Sequence, residues 1–161
     1  MARVGLDRLE YLVERLDRAI DMEGSDVTVN TLTSDLGVTV TAGGADLLEG
    51  TLKLSNGGVV AQDTNKGTAV TLAKPTGKIT MQATALAADA IISFTVTCTG
   101  FARATDVCIV NHHSVGTVGK YVVQATGHGV NSFKVTVTNV STGALSEALV
   151  LHYALIQTAH T

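Results

Sequence analysis

Histidine is the residue type in this chain that comes nearest to forming a chemical site, because imidazole nitrogens bind zinc and other transition metals. His112 and His113 are adjacent, and His128 follows them along the chain. A zinc site needs several converging ligands, and no HxH or HExxH spacing is present. Neighbouring residues of a strand point to opposite faces, so the adjacent pair needs further ligands. We interpret these residues as loop histidines outside any metal site; a metal-dependent enzyme requires all three to converge with a carboxylate.

Other catalytic arrangements are also missing from the sequence. Residues 64–161 contain only three carboxylates, Asp89, Asp106 and Glu147, which is few for paired acid–base chemistry. No serine or cysteine lies in a recognisable nucleophile signature. The glycine-rich stretches TAGGADLLEG and SNGGVV lack the spacing of phosphate-binding loops, and we interpret them as turns. We therefore predict that the chain is not an enzyme and has no catalytic residue, cofactor or bound metal.

Cys98 and Cys108 are the two cysteines of the chain. They are too few for a disulfide scaffold, and they lie too far apart for a CxxC metal or redox pair. We expect two reduced thiols in or near the core.

The composition favours β-structure. Valine and threonine, with 21 and 23 residues, make up 44 of the 161 residues, and both are β-branched types that suit pleated, half-buried positions. Charged residues are only 16% of the chain, so much of the surface must be Thr, Ser, Asn and Gly, which suits a close-packed assembly. The length predicts one main domain with additions.

The clearest helical pattern lies in residues 4–21. Apolar residues recur there at alternating spacings of three and four, as in a heptad repeat: Leu6, Leu9, Val13, Leu16 and Ile20. Leu12 widens this apolar face, which favours three packed helices or docking onto another surface. Residues 1–23 are therefore predicted to form an amphipathic or coiled-coil helix. A short helix lying on its own domain is the alternative.

Residues 24–62 are predicted to form a short β-rich connecting or anchoring segment. Alternating valines such as Val27 and Val29 are interrupted by turns at Gly43-Gly44 and at Asn56-Gly57-Gly58. The segment has no aromatic residue, so we expect neighbouring chains to supply its burial. Together with the heptad repeat, this predicts a homotrimer.

Residues 63–161 are predicted to form a β-sandwich domain, because short alternating strands recur at regular spacing. The predicted strands are Thr68–Leu72, Lys78–Ala83, Ile91–Cys98, Val107–Asn111, Lys120–Ala125, Phe133–Asn139 and Ala148–Ile156. The last of these is apolar on both faces, so it should be central or covered by another subunit. The predicted fold class is all-β, an antiparallel β-sandwich or jelly roll with a short N-terminal amphipathic helix.

Charge and hydropathy argue against nucleic-acid and membrane partners. The six bases of residues 64–161 are dispersed rather than clustered as in a nucleic-acid footprint. No apolar run is long enough to span a membrane, and the charged N-terminus lacks the pattern of a secretory signal. Synthesis in a cytoplasm is therefore expected. Binding of glycans by surface loops stays open, although the chain has no Trp to stack on a sugar ring.

Two stretches carry a resemblance to a known family, GGVVAQDTNKGTAVTLAKPTGKITMQATALAADAIISFTVT and GKYVVQATGHGVNSFKVTVTNVSTGALSEALVLHYALI. Its most specific parts are the block around Thr64–Leu72, the strand Gly77–Thr80 and the segment Leu145–Ala148. Over residues 57–158 the chain resembles a β-domain that recurs in virion proteins of tailed bacteriophages, such as head-fibre, capsid decoration and tail-fibre proteins. The resemblance implies a trimeric β-sandwich or jelly roll without catalytic residues.

The resemblance also implies a function. We expect a capsid decoration or head-fibre protein, made in the host cytoplasm, that attaches as a homotrimer to the major capsid protein or another virion protein on the outer surface of the capsid. The acidic residues 1–62 are expected to supply the contacts with the capsid. The alternative is a tail-fibre or receptor-binding adhesin module for a host surface receptor, whose mark would be an exposed aromatic or charged patch at the distal loops.

Overall fold

A computed structural model of the chain describes residues 52–54 and 56–158. The helix predicted for residues 1–23 lies outside the described residues. Residues 24–51 of the predicted connecting segment lie outside them as well. The described part is all-β and contains no helix. It accordingly has no helix that is long and apolar enough to cross a membrane.

Eight strands make up the described part of the chain. They are β1 (Gly57–Ala61), β2 (Val70–Thr71), β3 (Thr76–Thr80), β4 (Ile91–Thr97), β5 (Val107–Ser114), β6 (Tyr121–Gly129), β7 (Ser132–Asn139) and β8 (Val150–Ile156). The seven predicted strands are confirmed as β2 to β8, with shifted ends. The turn predicted at Asn56-Gly57-Gly58 is wrong at the two glycines, which begin β1 and pair with β3.

The strands form two four-stranded sheets. Sheet A has the order β1-β3-β8-β5, and sheet B has the order β2-β4-β7-β6. The expectation of purely antiparallel sheets is wrong, because β1 pairs with β3, and β2 with β4, in parallel. Between β1 and β4 the chain alternates between the sheets, so neighbours within one sheet are joined by a crossover rather than a hairpin. All other pairs are antiparallel, and β8 is central as predicted.

The core lies between the two sheets and is built by alternate residues of each strand. Phe133, Val135 and Val137 of β7 have no exposed surface, as their alternation with polar residues predicts. From sheet A, Leu151 is also fully buried, and the Tyr153 ring lies against Phe133 with centroids 5.1 Å apart. Contacts across this layer make the described part a β-sandwich-like fold.

One buried amide ties together the loops at one end of the sandwich. Asn139 has no exposed surface, and its Nδ2 donates to the carbonyls of Leu86 (2.9 Å), Ala87 (2.9 Å) and Gly143 (2.8 Å). Its Oδ1 accepts from the backbone N–H (2.9 Å) and the hydroxyl (2.6 Å) of Ser141. Because both ends of the side chain are satisfied, burying this amide does not leave a costly unpaired group.

A buried ammonium joins three further loops. Lys66 is only 2% exposed, and its Nζ donates to the carbonyls of Gln82 (2.7 Å) and Glu147 (2.5 Å). Burial lowers the pKa of Lys66, while the charge of Glu147 acts in the opposite direction. Since the ammonium is held by backbone carbonyls within the fold, we assign Lys66 a structural role.

Candidate functional site

The outer face of sheet A combines an apolar end with a basic end. Its exposed apolar side chains come from three strands: Val59 of β1, Val107 and Ile109 of β5, and Ile156 of β8. Val59 is 66% exposed, and the other three are between 47% and 49% exposed. Burial of such side chains by a partner is favourable, so a cluster of them indicates a contact surface.

Strand register brings Val107, Ile109 and Ile156 together, whereas Val59 lies on the opposite edge strand, level with Lys78. Val107 lies opposite Ile156, and Ile109 lies opposite Ala154, so one end of the face is continuous and apolar. Ala154 is half-buried and also pairs with β3, in the middle of the sheet. In β5 and β8, alternate residues face the core, so the residues between them, including those of this apolar end, must face outward.

The other end of the same face carries basic side chains. Lys78 of β3 pairs with His152 of β8, and the imidazole of His113 stacks on that of His152 with centroids 3.8 Å apart and planes 9° apart. Burial is the main cause that lowers the pKa of His152, followed by the charges of His113 and Lys78. His152 is therefore neutral near pH 7, and Lys78 provides the positive charge.

A shallow depression lies between β1, β3 and β8 at this basic end. Its volume is about 290 Å³, and Val59, Lys78 and His152 are among the residues that border it. Gly57 contributes no side chain to its floor. The depression therefore combines an apolar wall, an ammonium and an imidazole, which suits a side chain with apolar and acidic parts more than a catalytic reaction.

The outer face of sheet B has a different chemistry. The hydroxyl of Thr136 on β7 is bonded to the hydroxyls of Ser93 on β4 (2.8 Å) and Thr126 on β6 (3.0 Å). Thr136 itself is only 9% exposed. These hydroxyls satisfy one another across three strands, while Ile91 (66% exposed) and Val122 (50% exposed) flank Thr138 at one end of the same face.

The three histidines singled out in the sequence do not converge. His113 lies on the outer face of sheet A, whereas the His112 Nε2 lies 2.5 Å from the Val115 carbonyl oxygen and its ring contacts Tyr121. His128 lies on β6 in sheet B against Phe133, with ring centroids 6.5 Å apart. Their interpretation as loop residues is wrong, because β5 continues through a bulge to Ser114 and β6 extends to Gly129.

No metal site accompanies them in the described part of the chain, where no group of three or more His, Cys, Asp and Glu side chains could hold an ion. The two cysteines are free thiols, as expected: Cys98 is buried and Cys108 is half-buried. Burial raises the pKa of Cys108 to about 12, which leaves it protonated and a poor nucleophile at neutral pH.

The β5–β6 loop is held rigidly between the two sheets. Glu147 accepts hydrogen bonds from the Thr117 N–H (3.0 Å), the Thr117 hydroxyl (2.7 Å) and the Tyr121 hydroxyl. The bond from Tyr121, followed by that from Thr117, lowers the pKa of Glu147 to about 2. Val115 adopts a left-handed φ of 59°, which is rare for a β-branched residue, and Val118 is 93% exposed.

Sequence reasoning missed the basic end of sheet A and the role of Glu147. Lys78 was counted among dispersed bases, and His152 lies within an otherwise apolar strand. Their proximity arises from the pairing of β3 with β8, which no local pattern reveals. The one signal in the sequence is that β8 is apolar on both faces, which predicts a central strand with a neighbour on each side. It does not indicate that β3, and with it Lys78, is one of those neighbours.

Comparisons of the chain with protein-family models, with curated proteins and with solved structures found no match.

Proposed function

We propose that the chain is a structural virion protein of a tailed bacteriophage, a capsid decoration or head-fibre protein that attaches as a homotrimer to the major capsid shell. The observation that carries this proposal is the apolar outer face of sheet A. In a chain with few charged residues, such a face favours a protein that works by contact with other proteins. The resemblance of residues 57–158 to phage virion β-domains supports the same class.

The size of the face favours a multivalent attachment. Four strands spaced about 4.8 Å apart, each roughly 20 Å long, present only about 300–400 Å². A stable protein contact buries about 800 Å² on each partner. One copy of the face is therefore too small to hold a particle alone, whereas a trimer that engages three equivalent sites gains through effective concentration. This argument fits the trimer predicted from the heptad repeat.

The expected attachment through residues 1–62 stays a prediction, since the structure describes only residues 52–54 and 56–62 of that segment. Val59 belongs to these residues and lies on the outer face of sheet A. We propose that this face acts together with the N-terminal segment on the outer surface of the capsid. Nucleic acid and membrane are not among the proposed partners.

A receptor-binding module, as in a tail fibre, is the second candidate. The observation that favours it is the β5–β6 loop, in which Glu147 holds a rigid turn and Val118 projects 93% exposed. Loops held by a rigid scaffold commonly carry binding functions. This loop presents the aliphatic Val115 and Val118 and a single charge, that of Lys120, rather than the expected aromatic or charged patch, so we rank this candidate second.

Two measurements test the proposal with the full chain. Sedimentation at micromolar concentration should give a trimer, and a monomer would contradict that part. Undecorated heads mixed with the protein and pelleted should carry it into the pellet. Ile109→Asp puts a charge on the apolar end and should reduce binding by at least about tenfold, since a desolvated charge is costly in an interface.

The matched control for this variant is Thr95→Asp, at a half-buried outward position of β4 in sheet B. It introduces the same charge on the other sheet and should leave binding to heads within about twofold. Equal losses for the two variants would show that the outer face of sheet A has no special role. Full binding by Ile109→Asp would remove this face from the attachment.

A further inference from the structure

We propose that the outer face of sheet A recognises an apolar segment that carries carboxylates, on another virion protein, and that Lys78 and protonated His152 pair with those carboxylates. This inference rests on the proposed function and names the chemistry of the partner. The apolar end formed by Val107, Ile109 and Ile156 covers the hydrophobic part of the segment. The basic end selects for acidic residues beside it.

The first observation is the ammonium of Lys78, which has no partner within residues 52–54 and 56–158. The Lys78 ammonium makes no hydrogen bond or ion pair with the described residues, although the Lys78 backbone pairs with that of His152 within the sheet. Within the same set of residues, no carboxylate lies among the outward positions of β1, β3, β5 and β8. The face is therefore positive and uncompensated, and an acidic partner is complementary to it.

The second observation is the imidazole pair next to this ammonium. The titratable groups that act on His152 are His113 from β5 and Lys78 from β3, and both oppose its protonation. Asn111, the residue opposite His152 on β5, is uncharged. A docked carboxylate reverses this balance, because an opposite charge favours the imidazolium form and raises the pKa of His152 in the complex.

The sign of the pH dependence follows from this difference. In the free chain the pKa of His152 lies below its ordinary value, and in the complex it rises, so docking takes up a proton. Binding should then tighten as the pH falls from about 8 to about 5.5, while partner carboxylates stay ionised above roughly pH 5. At the upper end of this range only Lys78 supplies charge.

A second copy of the chain is a poorer occupant of this face. A two-fold contact brings the same patch of each copy together, so Lys78 and His152 meet like groups rather than opposite charges. The hydroxyl face of sheet B offers no carboxylate either, because its outward charged residue is Lys134. Complementarity therefore favours an acidic partner over a contact between the described strands of two copies.

The experiment measures binding of the full chain to undecorated heads by pelleting, at pH 5.5, 6.5 and 7.5 and at low and high salt. Wild type should bind about tenfold more tightly at pH 5.5 than at pH 7.5, and added salt should weaken this binding. Lys78→Gln should weaken binding about fivefold to tenfold at every pH. His152→Gln should bind as wild type does at pH 7.5 but should lose the gain at pH 5.5.

Matched controls separate this effect from general loss of charge. Lys134→Gln removes the outward lysine of sheet B, and His128→Gln removes a histidine of β6; both should keep the wild-type strength and pH dependence. Circular dichroism at each pH verifies that all variants are folded. If the wild-type protein does not pellet with the heads at any of the three pH values, the proposed function itself is contradicted. If wild type pellets but Lys78→Gln and His152→Gln match it throughout, attachment stands and the acidic partner is overturned.

Discussion

The two sheets present outer faces of different character, although both are built by alternating strands. On sheet B, the hydroxyls of Ser93, Thr126 and Thr136 bond to one another, so outward polar groups are satisfied within the face. On sheet A, the outward positions at one end of β5 and β8 hold aliphatic residues, which gain nothing from water. The outer face of sheet B is therefore organised around a satisfied hydroxyl network, with Ile91 and Val122 exposed at one end, whereas that of sheet A sets an apolar end beside basic side chains.

The two sheets also differ in one of their edge strands. In sheet A this edge strand is β1, with five residues, whereas in sheet B it is β2, with only two residues. The side chain of Val60 on β1 packs against the core, while Val59 points outward. β1 thus contributes to both sides of sheet A, and the apolar outer face is incomplete without it.

The largest expected effect comes from removal of β1. A chain that starts at residue 56 keeps all eight strands, whereas a chain that starts at residue 63 loses β1, its pairing with β3 and the burial of Val60. We expect the shorter chain to lose about 2–4 kcal/mol of unfolding free energy relative to the longer one. Urea unfolding of both measures this difference directly.

Equal stability of the two truncated chains would show that β1 is only an appendage. That outcome would also favour the domain boundary at residue 63 that the sequence predicts. A shorter chain that does not fold at all would strengthen the assignment of β1 to sheet A.

A pair of inverse substitutions sharpens the comparison of the two faces. Thr136→Val removes the central hydroxyl of sheet B and leaves Ser93 and Thr126 without their protein partner, which should cost about 1 kcal/mol. Val59→Thr makes the reverse change on sheet A, at a side chain that is 66% exposed, and should change stability by less than about 0.5 kcal/mol. Thermal unfolding of both variants tests the contrast.

The reverse ranking, with Val59→Thr more harmful than Thr136→Val, would mean that the outward valine is already covered in the isolated protein. Such a result would point to contacts between chains at this face. It would therefore replace the view of an open surface with that of an interface within the oligomer.

Local pattern was sufficient for most strands of the sandwich. Phe133, Val135 and Val137 alternate with polar residues, and the structure buries all three. The last strand was expected to be central because both of its faces are apolar, and β8 does lie between β3 and β5. These predictions succeed because period-two alternation records which side of a strand meets the core.

Features that depend on pairing were not predictable in the same way. β1 contains two glycines and resembles a turn, and only its register with β3 makes it a strand. Parallel pairs arise from crossovers between sheets, which strand spacing does not record. The neighbours Lys78 and His152, and the bonds from Tyr121 and Thr117 to Glu147, likewise join residues that are distant in sequence.

The smallest expected effect concerns the β5–β6 loop, which connects the apolar face to the hydroxyl face. Glu147 has a folded-state pKa of about 2, below its ordinary value of about 4.3 in an unfolded chain. A lowered carboxyl pKa stabilises the fold above the unfolded value, and this stabilisation is lost as the pH falls from about 4.5 toward 2. Glu147→Gln should cost about 1 kcal/mol at pH 7, because the amide keeps only part of these hydrogen bonds. It should also remove this part of the acid sensitivity, so the stabilities of variant and wild type converge near pH 2.

Asp89→Asn is the matched control, since Asp89 is an exposed loop carboxylate with a left-handed φ of 54° that Asn tolerates. Urea unfolding at pH 7, 4 and 2.5 measures the gap for each variant. A gap for Glu147→Gln that stays constant with pH would mean that shape rather than charge holds the loop.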